Sequence, residues 1–422
     1  MTMQPFSRRA LLGQLGAGAV ATGGATAAFA QQAAPAAAPI AGRIFNVVEA
    51  GADPTGRRDS SGAFQRGIAE LAPNGGTIYI PSGRYRIERT LVWENRQNAR
   101  APGLTFRGDA PHSTVLVHAA AGPLLRVRGV RATPPVNTSF FWGGGIFDLS
   151  IQGNFERPDQ HGIEVLGWYY GEIHNCHFTG LGGDGIRAVV DLRTNANPDF
   201  TSSTLFVRGV WLERLGGWGF IDLSDVQGAP AWSWDRCIFS MCGKGGALVR
   251  SGGQSFTKST FFLCGWRSEH EAPGRSGYGL YFDGNLTGSS QQFVEGCEFD
   301  TNLTAHVGAR YLSASSFLNN RFIFSNRSGG QRPFPPVAVE IGSGDAHAAV
   351  RAIQLRQSFF RQDLPGSVVA FDFANHANVR DVEIGGSVFN AAPRGSITRY
   401  RGADPNGRGA AYGYVVQPGA SE

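Results

Sequence analysis

His161, Glu164, Asp184 and Arg187 are the residues whose types and spacing can do chemistry together. They stand in two matching stretches, Gln160-His161-Gly162-Ile163-Glu164 and Asp184-Gly185-Ile186-Arg187. A histidine among carboxylates can supply acid and base, and an arginine among them can neutralise a carboxylate-bearing ligand. The competing reading is a solvated ion pair between Glu164 and Arg187, which contributes little. Asp222, Asp225 and Asp283 are spare carboxylates further along. With Asp184 they could bind Ca²⁺, although no compact Asp-rich loop signals a cation; no other cofactor is expected. Arg250 is a second neutralising charge, and Tyr281 repeats the outward position of Glu164 and Arg187. Trp232 and Trp234, in Ala229-Pro230-Ala231-Trp232-Ser233-Trp234, can form a flat binding platform or pack between loops. Glu269, His270 and Glu271 sit in a lid-like loop, where a solvated charged loop is the plainer reading. His174 and His177 flank Cys176, in a spacing that argues against a metal site. Phe140–Gly145 is aromatic and Gly-rich, without an assigned purpose.

Two side-chain ladders must position these residues. One is aromatic: Phe178, Trp211, Phe239, Phe262, Phe299, Phe322, Phe360 and Phe389. The other is mostly aliphatic and usually follows a glycine: Ile163, Ile186, Phe220, Ala247, Leu280, Val307, Val339 and Val369. Successive aromatics lie 23 to 38 residues apart, with the irregularity confined to two lengthened loops, 263–279 and 323–338. Short strand-like segments repeating at this period read as a solenoid whose turns stack on one another. The expected fold is all-β, a right-handed parallel β-helix over 44–390. A short helix, Ser61–Leu71, carries Phe64, Ile68 and Leu71 on one face and caps the open end, with Asp59 or Ser60 as N-cap. The residue before each ladder glycine, His161, Asp184, Trp218, Gly245 and Tyr278, then recurs on successive rungs. Together with Glu164 and Arg187 these positions line a groove. The long loops would wall one side, and 191–203 with 224–234 the other.

The chain has 422 residues, natural for a stack in which each coil touches only its neighbours, and 59 glycines suit its corners. The net charge is +5, carried almost wholly by scattered arginines. No basic run or aromatic-interleaved basic patch argues for nucleic acid. Residues 1–30 read as an export signal: Ser7-Arg8-Arg9-Ala10-Leu11-Leu12 has the twin-arginine form, and Ala28-Phe29-Ala30 a cleavage site. The expected location is periplasmic or secreted, with no membrane association after cleavage. Residues 31–43 are an Ala/Pro linker and 391–422 a C-terminal tail or cap. Of the five cysteines, Cys176, Cys237 and Cys297 share one corner phase and should be buried and inert. Cys242 and Cys264 sit on adjacent coils, close enough for a bond, but are read as two thiols.

Residues 44–87 resemble the start of the rhamnogalacturonase/epimerase-like pectate lyase domain of the pectate lyase superfamily. The likeness lies in Gly51-Ala52, Asp53 to Asp59, Ala63-Phe64-Gln65-Arg66-Gly67-Ile68 and Gly75 to Tyr85. One departure is Asp59-Ser60-Ser61, where that family has Asp-Asp-Thr. The resemblance implies a β-helix acting on carbohydrate polymers; relatives that form trimers leave a homotrimer open. It does not choose a reaction. Polygalacturonase-type motifs are largely missing: Asp159-Gln160-His161, Gly182-Gly183-Asp184 and Gly217-Trp218-Gly219 keep one acidic residue of three. The first expectation is therefore a lyase on a uronate-containing polysaccharide, with Arg187 or Arg250 neutralising and His161 as base. A glycoside hydrolase or transglycosidase using Asp184 with Glu164 or Asp222 is the alternative. A non-catalytic carbohydrate-binding envelope protein is the third.

Overall fold

The computed structural model describes residues 43–95, 100–129, 140–189, 202–223, 229–266, 276–284, 290–325, 337–342, 349–362, 369–373, 379–385, 387–390 and 398–400. The export signal and nearly all of the linker lie outside these, as do Asp225 and Glu269–Glu271. Residues Gly42–Glu422 make one compact unit. Extended segments stack in parallel, each coil adding strand to three sides, with Ala305–Leu318 serving two of them without a break. The result is the expected right-handed parallel β-helix.

The first side carries the candidate groove and runs from Leu91–Asn95 through Gly122–Gly129, Gln160–Leu166, Ile186–Ala188, Trp218–Asp222, Gly245–Val249 and Tyr278–Asp283. The second side has twelve strands, from Thr55–Asp59 to Val388–Asn390. The third begins at Ile44–Asn46 and includes Glu172–His174, Phe206–Arg208 and Ser233–Asp235. A last strand, Thr398–Tyr400, pairs with Phe371–Phe373, so the stack continues beyond residue 390.

Corners turn on single residues in the left-handed region. Between third and second sides these are Asp148, Asn175, Gly209, Arg236, Lys258, Gly296, Asn319 and Gln357, with φ from 50° to 62°. One such residue redirects an extended chain without a loop, at a steric cost that Gly escapes and Asn tolerates best. The next residue points inward every time: Cys176, Cys237, Ser259, Cys297, Asn320 and Ser358 are all buried. Ser259 and Asn320 accept backbone N–H bonds from Cys237 and Cys297. Burial pushes the Cys176, Cys237 and Cys297 thiols up to about 12. All five cysteines are free.

The helix Ser61–Leu71 buries Phe64, Ile68 and Leu71 against the first coils. Its start is held by Asp59, whose Oδ1 accepts the Ser61 N–H at 2.9 Å, while the Ser60 hydroxyl accepts the Asp53 N–H instead. The aliphatic ladder stacks as expected from Ile163 to Val339, after which Phe371, and not Val369, takes the next rung. The aromatic ladder needs two corrections. Leu212 and Phe261, not Trp211 and Phe262, pair in line with Phe178, Phe239 and Phe299. A slip of one residue reverses the face, and Trp211 accordingly lies outside against His177. The stack itself is tight: Phe239–Phe261 and Phe261–Phe299 have centroids 4.6 and 4.9 Å apart, nearly parallel.

Candidate functional site

Strand pairing on the first side sets Arg126, Glu164, Arg187, Ile221, Leu248 and Tyr281 in one outward row. Its first three members carry charge and the next three do not. Arg126 Nε lies 2.7 Å from Glu164 Oε1, and Arg187 Nη1 lies 3.8 Å from Glu164 Oε2. Asp184 enters from the corner before Ile186–Ala188, with Oδ2 3.7 Å from Arg187 Nε and 3.4 Å from His161 Nδ1. His161, Glu164, Asp184 and Arg187, brought together by rung phase in the sequence, are thus one half-buried cluster across adjacent coils. Arg126 belongs to it as well. Its coil precedes the legible ladder, so only register reveals it.

Backbone contacts fix the polar members. Trp218 N–H donates to Asp184 Oδ1 at 2.9 Å, and Asp184 N–H donates to His161 Nδ1 at 2.9 Å. With Nδ1 accepting, the neutral ring carries its proton on Nε2. Burial, helped by Arg187, holds the His161 pKa below its ordinary value despite the pull of Asp184 and Glu164. Glycines make the seats. A Cβ on Gly183 would stand 2.4 Å from His161 Nδ1, and one on Gly217 would stand 2.2 Å from Asp184 Oδ1. The Gly-Gly pairs before Asp184 and Trp218 were the available signal for this, since a close approach of backbone to side chain demands Gly. Arg187 Nε has no hydrogen-bond partner among the described residues, so the guanidinium is held by long ion pairs alone.

The remaining candidates are placed elsewhere. Asp222 is fully buried, its Oδ2 accepting from the Ser251 hydroxyl, because it ends its strand facing inward. Trp232 and Trp234 are fully buried too, packed on Phe220 at 5.1 and 4.7 Å, so they form no outer platform. Ser233–Asp235 is a third-side strand, and its inward position goes to Trp234, whose Nε1 donates to Gln254. Arg250 and Arg310 clasp the buried Asp283 carboxylate at 3.2 and 3.3 Å, apart from the cluster. Tyr281 is buried beneath a patch with Trp218, Leu248 and Tyr278 rather than lining an open surface. Asp184, Asp222 and Asp283, the carboxylates considered for Ca²⁺, therefore do not converge. Among the described residues no group of three His, Cys, Asp or Glu is placed to hold a metal.

Residues 44–143 match the family model described as rhamnogalacturonase A/epimerase, pectate lyase-like. Mannuronan C5-epimerase AlgE1 of Azotobacter vinelandii is 33% identical over 132 residues, 31% of this chain and 9% of that protein. AlgE3 of the same organism gives 33% over 132 residues, 7% of its length. The match thus spans less than a tenth of either curated relative. Among solved structures, an alginate lyase from Paenibacillus sp. str. FPU-7 superposes with TM-score 0.50 at 11% identity, covering 85% of this chain and 98% of that one. The Dettilon tailspike protein gp208 gives TM-score 0.50 at 13% identity, covering 81% and 68%. At such identities the likeness is one of fold.

Proposed function

We propose, from its membership of the pectate-lyase-like parallel β-helix proteins, that this chain is an enzyme acting on a uronate-containing polysaccharide at C5 of a uronate ring. The observation that carries the reading is the half-buried cluster of two guanidiniums, two carboxylates and a neutral histidine on adjacent coils. The C5 hydrogen lies α to the substrate carboxylate. Its removal requires that carboxylate to be neutralised while charge spreads onto it, and a positioned base. Arg187 suits the first task, because its side chain keeps 22% exposure and its guanidinium is held, among the described residues, only by ion pairs of 3.7 and 3.8 Å. Asp184 Oδ2, with only long contacts, suits the second; Oδ1 is occupied by the Trp218 N–H. His161 is then a donor through Nε2 rather than the base, since its Nδ1 lone pair is engaged.

The carbanion has two fates. Return of a proton to the opposite face inverts C5, and the 33% identity to mannuronan C5-epimerases supports this outcome. Loss of the C4 oxygen gives an unsaturated uronate, the lyase outcome, and the His161 Nε2–H as a donor for the departing oxygen supports that second reading. The twin-arginine segment supports delivery outside the cytoplasm. Incubation with polymannuronate or polygalacturonate in D₂O tests the proposal by proton NMR and near-ultraviolet absorbance. Deuterium at C5 without absorbance indicates epimerisation, and absorbance indicates elimination. New reducing ends with neither signal would mean hydrolysis and overturn it.

A further inference from the structure

We propose that Phe140, Trp142, Tyr169 and Tyr170 form a second carbohydrate subsite, taking rings of an anionic polysaccharide away from the reacting residue. The inference rests on the polysaccharide reading above. These residues belong to a small outer sheet, Arg100–Pro102, Phe140–Trp142 and Trp168–Tyr169, separate from the three main sides. Its inner positions complete the core: Phe141 and Trp168 are fully buried against Trp93, at 4.4 and 5.6 Å, and Trp168 Nε1 donates to the Gly143 carbonyl. Packing is therefore satisfied on the inside. The outer positions of a strand would ordinarily be polar, yet here they are rings.

Those rings form a continuous ledge. Phe140 and Tyr169 lie 4.9 Å apart, Trp142 and Tyr170 4.4 Å, and the Trp142 and Tyr169 planes differ by only 5°. Trp142 is 38% exposed and Tyr170 47%. Pro102, Trp142 and Tyr169 are in register across three coils, roughly 10 Å at the strand spacing, comparable to two pyranose rings. Tyr170 has φ 54°, at a corner where other coils place Thr204, Ala231, Gly253 and Ala314. An aromatic side chain in that conformation is unusual, and it lays the ring on Trp142.

Continuity with the cluster and charge define the occupant. Gln160–Leu166 carries His161 and Glu164 and leads directly into Trp168–Tyr169. The neighbouring Gly122–Gly129 carries Arg126 in the cluster and Arg128, on the same face, two residues nearer the ledge. The ledge thus begins within five residues of Glu164, beyond the corner at Gly167, whose φ is 73°. A uronate polymer offers both matching surfaces, carboxylates for arginines and C–H faces for aromatic rings.

Affinity electrophoresis in gels containing alginate, with dextran as neutral control, tests this alongside steady-state kinetics. Tyr170→Gly removes a ring at a position that glycine occupies without strain, and Trp142→Ala removes the other. Each should weaken retention by alginate roughly three- to tenfold, raise KM for the polymer with kcat unchanged, and leave KM for a trisaccharide unaltered. Tyr170→Gly should melt no lower than the parent. Full retention and unchanged polymer KM in both variants overturn the ledge while the catalytic reading stands. A parent neither retained by nor active on any uronate polymer overturns both.

Discussion

Replacing Asp184 with Asn separates chemistry from architecture at the centre of the cluster. The carboxylate is 9% exposed, accepts the Trp218 N–H at 2.9 Å and faces Arg187 and His161 at 3.7 and 3.4 Å. Asparagine keeps an oxygen for Trp218 but turns a charge-assisted bond into a neutral one, a loss of about 1 kcal/mol. Arg187 loses one carboxylate at 3.7 Å and keeps Glu164, an effect of less than about 1 kcal/mol for so long a contact. The total, about 1–2 kcal/mol, exceeds the roughly 0.5 kcal/mol of an ordinary surface substitution. A surface position is what the sequence suggests for Asp184, since Ile163 and Ile186 hold the core. Turnover on the polymer identified by the D₂O screen should fall about 10²- to 10⁴-fold if Asp184 takes the C5 proton. Urea unfolding and initial rates on the same preparation are the measurements. Full activity in a folded variant refutes the assignment. A loss above about 3 kcal/mol would instead make Asp184 chiefly structural.

Two further predictions concern the scaffold. Gly209 has φ 58° and open space where a Cβ would stand, so Gly209→Ala should cost about 1 kcal/mol from backbone strain alone, and Lys258→Gly, at φ 50°, should gain about 0.5–1 kcal/mol; no change in either denaturation midpoint would contradict the corner argument. His118, His161 and His177 are held below the ordinary histidine pKa, burial being the largest cause in each. Each takes up its proton at lower pH when folded than in the unfolded chain, which does so near pH 6.5, so their stabilisation is complete above that pH and declines on acidification, by no more than about 1.4 kcal/mol per pH unit per histidine. Unfolding free energies between pH 7.5 and 5.5 that stay flat or rise would contradict this.

The solenoid, the phase of the groove side and the meeting of His161, Glu164, Asp184 and Arg187 are determined by the sequence alone. Each coil repeats glycine, inward aliphatic and outward residue with the same short strand, and parallel stacking turns equal phase into contact. Where two apolar residues adjoin, as in Trp211-Leu212 and Phe261-Phe262, the pattern cannot say which points inward. Pairing with the neighbouring coil decides it. Trp232 and Trp234 share one face by their spacing. The left-handed turn at Ala231 and the strand that follows direct that face to the core. Asp222 is drawn inside in the same way, as the last residue of a strand whose alternation is set at its other end. The proton position on His161 and the coordination of Asp184 are also tertiary facts. They depend on N–H groups of Asp184 and Trp218 arriving from the next coil, over glycines that leave room for them. A sequence carries the kinds and phases of side chains, whereas hydrogen-bond direction at a site exists only once neighbouring backbones are placed beside it.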